Sequence, residues 1–63
     1  MNHVAKIRKQ LKISQDKLAK KAKVSRPYLS NIENFKVQPS VGAAIRISKA
    51  LNKRVEDIFF DNV

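Results

Sequence analysis

Apolar residues recur along this chain at helical spacing, and the polar residues between them mark where each helix starts and stops. Val4, Ile7 and Leu11 stand at i, i+3 and i+7 and predict a first helix from about His3 to Leu11, with these three buried. Ser14 precedes the next apolar run as an N-cap, with Lys17 three residues on where a full capping box would have Glu or Gln. That helix runs to about Ala22. Leu18, Ala19 and Ala22 share one face, and the small Ala19 lets another backbone come close. Ser25 is the following N-cap, and Pro27 falls in the first turn, where its missing N–H costs nothing. This third helix reaches about Glu33, with Leu29 and Ile32 turned inward and Arg26, Pro27, Ser30 and Asn31 turned outward. Pro39-Ser40 opens a fourth helix whose inward stripe is Ala44, Ile47, Ser48 and Leu51, widened by Val41 and Ile45 and ended by Asn52 as C-cap. Gly42, the only glycine, lies one turn inside it and costs about 1 kcal/mol relative to alanine. Lys53-Arg54 turns the chain, and Val55 to Phe60 form a short helix or turn. The pattern predicts an all-α fold, a compact bundle of five short helices.

The stretch 14–34, two short helices joined by a three-residue turn, reads as a helix-turn-helix, the motif whose second helix enters the major groove of DNA by its N-terminal residues. The outward residues of the third helix are the ones so presented. At these residues the chain resembles the Cro/C1-type helix-turn-helix family, also called the Xre family. The resemblance rests on Arg8, Ile13-Ser14-Gln15, Leu18-Ala19, Val24-Ser25, Leu29, Ile32-Glu33, Pro39-Ser40, Ile47 and Ala50-Leu51, whose order and spacing together cover nearly the whole chain.

The resemblance implies a lambda-repressor-like bundle in one domain, residues 1–63, with the helix-turn-helix at its centre. It implies an ion pair between Arg8 and Glu33 that fixes the first helix against the recognition helix, against the plainer possibility of an unpaired surface arginine. It implies that Ile58-Phe59 pack on the core and that the loop Phe35-Lys36-Val37 follows the DNA backbone. Three positions depart from the family pattern: glycine is common where this chain has Lys12, Lys23 and Phe35. A left-handed backbone there costs each non-glycine residue roughly 1 kcal/mol. Asn34 could take that conformation in place of Phe35.

Composition narrows the function. The chain has 63 residues, room for one domain and little room for a deep catalytic cleft. It has 14 basic and 5 acidic side chains, a net charge of +9, which calls for an anionic partner, most simply nucleic-acid phosphate. An anionic membrane or an acidic protein satisfies the same charge. With no cysteine, one histidine (His3) and five scattered carboxylates, no metal site, cofactor or acid–base pair is expected, and the chain is read as a non-enzyme. No apolar run approaches a membrane span and no signal-peptide segment opens the chain, so a cytoplasmic protein is expected, and the resemblance implies one that is bacterial or phage-encoded and acts at the nucleoid.

Binding chemistry follows by position. Arg26 suits guanine O6 and N7, Asn31 suits adenine N6 and N7, Pro27 offers a contact to a thymine methyl, and Ser30 reaches a base or a phosphate. Gln15, at a helix N-terminus, is placed for a phosphate, as are Tyr28, Asn34, Lys36 and Gln38. Val55, Ile58, Phe59 and Phe60 are more apolar surface than a chain this short readily hides, so residues 52–63 are expected to form a homodimer surface, with cover of the monomer core as the alternative for Phe60. The expected function is a sequence-specific regulator, most simply a repressor, that binds a palindromic double-stranded operator as a dimer without a small-molecule ligand. The other possibilities are an antitoxin-like module that binds protein first and DNA second, and a cationic amphipathic protein at membranes, against which the regular core stripes argue.

Overall fold

The computed structural model describes residues 2–59. They form five helices: α1 (Val4–Gln10), α2 (Gln15–Ala22), α3 (Arg26–Glu33), α4 (Val41–Leu51) and α5 (Val55–Phe59), with no strand among the described residues. Each of the three serine starts works as the sequence indicates. The hydroxyls of Ser14, Ser25 and Ser40 accept the backbone N–H of Lys17, Tyr28 and Ala43 at 3.1, 3.2 and 3.1 Å. Four turns need a left-handed residue, and none of them has glycine: Lys12, Lys23, Phe35 and Asn52 carry φ of 58°, 59°, 62° and 58°. Asn34 stays at φ −92°, so Phe35 itself makes the left-handed turn after α3.

One core joins all five helices. Val4, Ile7, Leu18, Ala19, Ala22, Leu29, Ile32, Ile47, Leu51 and Ile58 are buried in it. Three apolar residues expected to turn inward do not. Leu11, the right-handed C-cap of α1 with its N–H on the Ile7 carbonyl, is 45% exposed, so the helical spiral continues to it but the cover over Val4 and Ile7 does not. Val41 and Ile45 are 78% and 40% exposed. The buried stripe of α4 runs through Ala43, Ala44, Ile47, Ser48 and Leu51 and packs chiefly on α2, whose Ala19 and Ala22 admit the close approach. Ala43 therefore borders the stripe, and Val41 and Ile45 lie beyond its other edge. The buried Ser48 hydroxyl is satisfied locally, donating to the Ala44 carbonyl at 2.7 Å.

Polar contacts tie the helix ends together. The Asn2 side chain accepts the Val4 N–H and donates to the Ile32 carbonyl, both at 3.0 Å, so it caps α1 and holds it to the end of α3. The His3 N–H donates to the Ile58 carbonyl at 2.9 Å and joins the chain start to α5. Arg46, on α4, donates through Nε to the Ala22 carbonyl at 3.0 Å, satisfying an orphan acceptor at the end of α2.

Candidate nucleic-acid interface

The angle between α1 and α3 is fixed by a charged cluster. The Glu33 carboxylate, buried at the end of α3, accepts Arg8 Nε at 2.8 Å, Arg8 Nη2 at 3.1 Å and Gln15 Nε2 at 3.0 Å. Arg8 also donates from Nη1 to the Ile13 carbonyl at 2.9 Å. Its guanidinium thus holds α1, the turn before α2 and α3 at once. A bidentate arginine–carboxylate pair resists rotation in a way that a single contact does not.

Above this cluster the first turn of α3 stands clear. Arg26, Pro27 and Ser30 line an open cleft together with Gln15 from the start of α2. Four residues expected to meet DNA are therefore brought together by the fold. Gln15 arrives with its amide already committed to Glu33, so it is a strut of the motif as well as a lining residue. Asn31 is half-buried on the same helix, and the exposed Asn34 donates to the Ser30 hydroxyl at 3.4 Å. Lys36 is exposed beyond the left-handed Phe35, and its N–H bonds back to the Asn31 carbonyl at 2.9 Å.

Two of the residues expected at phosphate also have structural neighbours of their own. The Tyr28 ring packs against the core and its hydroxyl accepts the Ser40 N–H at 3.1 Å, so this tyrosine ties α3 to the start of α4. Gln38 lines a separate groove of about 270 Å³ with Phe35, Val37, Pro39, Val55 and Phe59. The expected dimer patch is also divided. Ile58 is fully buried in the monomer core and has no surface to offer, Val55 and Phe59 are half-buried, and Phe60 lies outside the described residues. At the same end Arg54 and Asp57 pair on the surface, and the hydrogen bonds from Arg54 hold the Asp57 carboxyl below its ordinary value.

Sequence reasoning missed Asn2 and Arg46. Asn2 had a local signal, an amide side chain just ahead of an apolar-periodic run. Arg46 had none, because its acceptor lies 24 residues away on another helix.

A helix-turn-helix family model matches residues 4–58. The chain belongs to the Cro/C1-type helix-turn-helix family. It is similar to an uncharacterized HTH-type transcriptional regulator of Archaeoglobus fulgidus, 39% identical over 51 residues, covering 79% of this chain and 73% of the relative. It is also similar to one from Methanocaldococcus jannaschii, 43% identical over 47 residues, covering 75% and 71%. A second Archaeoglobus fulgidus relative of the same description is 32% identical over 56 residues, covering 89% and 79%. Among the described residues no helix is long and apolar enough to cross a membrane.

Proposed function

We propose that this chain is a cytoplasmic transcription regulator that binds a palindromic double-stranded DNA operator as a homodimer and acts most simply as a repressor, by occluding a promoter. The observation that carries the reading is the cleft of Gln15, Arg26, Pro27 and Ser30, at the exposed start of a helix whose far end is anchored by Arg8 and Glu33. A recognition helix needs both properties, free side chains at its N-terminus and a rigid seat. The names of the archaeal relatives support a regulator.

In this reading Arg26, Pro27, Ser30 and Asn31 meet base edges in the major groove. Gln15 offers the remaining N–H of its amide to a phosphate of one strand, and Asn34 and Lys36 meet the other, with Gln38 beside them. Tyr28 serves by holding α4 to α3. Val55 and Phe59, with the groove they line, form the dimer contact at the 52–63 end. Selection from a random DNA library at about 150 mM salt, where non-specific phosphate binding is weak, tests this directly. An enriched inverted repeat with half-sites about one helical turn apart is expected. Retention without enrichment overturns the sequence-specific reading.

A further inference from the structure

A second cationic surface lies at the other end of α2. Lys21 leaves the last turn of that helix, Lys23 is its cap, and Arg46 and Lys49 reach across from α4; with Ala50 these four line an open basin. Among the described residues none of the four is paired with a carboxylate, whereas Asp16 is taken by Lys20, Glu33 by Arg8 and Asp57 by Arg54. Two further features show that the basin is built and is more than a run of solvated lysines. The Arg46 guanidinium is held in place by its bond to the Ala22 carbonyl, and Gly42 clears its volume, since a Cβ there would stand 3.3 Å from Arg46 Nη1.

We propose that this basin is a second binding surface for nucleic-acid phosphate, separate from the contacts made by α3. It rests on the reading that α3 engages DNA. α2 is eight residues long, which separates Gln15 from the Ala22 carbonyl by about 10 Å, so the basin meets phosphates other than those within reach of Gln15. Phosphate fits better than the other anionic partners. Protein interfaces are centred on buried aromatic or aliphatic anchors and membrane surfaces need an apolar face to insert; the basin is lined by four cations and only the methyl of Ala50, with the exposed Ile45 and Val41 bordering it on α4 rather than lining it. A sugar–phosphate backbone asks only for spaced cations. It comes either from the DNA flanking the bound site or from a second duplex, in which case the protein bridges two segments.

The test compares Lys21→Gln/Lys49→Gln with Lys6→Gln/Lys9→Gln, a pair of exposed lysines on α1 that removes the same charge. The readouts are the slope of log binding constant against log salt and capture of a labelled second duplex by immobilised protein–DNA complex. Loss of two phosphate contacts flattens the slope by about 1.8. A slope loss in the basin variant on a duplex of about four helical turns but not on one of about two turns, just long enough for the two half-sites, assigns the flanking DNA. Loss of capture with the slope intact assigns a second duplex. A further variant separates contact from fold: Lys23→Gly is expected to raise the melting temperature while weakening whichever readout the basin variant weakens. Equal effects of the two lysine pairs, or no effect of the basin pair on either readout, overturn the proposal while leaving α3 recognition standing. Failure of the unaltered protein to bind any duplex overturns both readings.

Discussion

Glu33 shows how much one side chain carries here, because three hydrogen bonds from two other segments end on a carboxylate that is 8% exposed. Removing it strands a largely covered guanidinium and the Gln15 amide together. Truncating one partner of such a pair costs about 3–5 kcal/mol, comparable with the whole stability of a domain this size, roughly 0.05–0.15 kcal/mol per residue. Glu33→Ala is therefore expected to unfold the protein or lower its urea midpoint far more than Glu56→Ala, whose carboxylate is exposed. Glu33→Gln, which keeps the shape, is expected to fall between them. Similar small effects of all three would show that the pair is not what seats α3. Arg26 and Lys36 separate base reading from phosphate binding. Arg26→Ala is expected to relax preference at one base pair by about 1–3 kcal/mol, and Lys36→Ala to weaken all sequences alike and flatten the salt slope by about one. A binding titration on matched operator variants at several salt concentrations distinguishes them, and an unchanged preference in Arg26→Ala removes it from base reading.

Helices of seven, eight, eight, eleven and five residues are too short to persist alone, so their ends decide much of the fold. Three serine caps start α2, α3 and α4, and three of the four left-handed turns are made by residues poorly suited to them. The backbone path is evidently fixed by the packing of the helices on either side, which holds Lys12, Lys23 and Phe35 where glycine would be unstrained. Lys12→Gly is expected to raise stability by roughly 1 kcal/mol, since its side chain is exposed and φ is 58°. For a domain of this size that is a melting-temperature rise of about 4–8 °C. Asn52→Gly is expected to gain much less, because asparagine tolerates the same conformation. If calorimetry finds the two gains equal, side-chain strain is not the cause.

On the scale of the whole molecule, both cations and apolar side chains are left on the surface. Arg26 stands at the start of α3 and four cations line the basin at the end of α2, while Phe35, Val37, Pro39, Val55 and Phe59 line a groove and Val41 and Ile45 are exposed on α4. Phe35 is 57% exposed and Val37 40%, so the groove extends the proposed dimer surface from α5 onto the loop before α4. Sedimentation from micromolar to nanomolar concentration is expected to show dimer giving way to monomer, and Phe59→Ser to favour the monomer at every concentration. A monomer throughout for the unaltered chain would leave DNA as the only agent that could bring two copies together.

Period, caps and turns were legible because they are local. Val4 and Ile7, Leu18 and Ala22, Leu29 and Ile32, and Ile47 and Leu51 announce their burial by spacing alone, and Ser14, Ser25 and Ser40 announce where helices begin. The sequence by itself thus determined five helices, the centres of their inward faces and the outward start of α3, since each follows from neighbours within a turn or two. Tertiary structure alone decided that Val41, Ile45 and Leu11 face solvent, because which edge of a stripe is covered depends on the helix it meets. It also decided that Ile58 belongs wholly to the core, that Tyr28 and Gln15 have structural partners, and that Arg46 closes α2 from across the bundle. The assignments of Tyr28, Gln15 and Arg46 depend on hydrogen-bond partners 12 to 24 residues away, which no local pattern encodes.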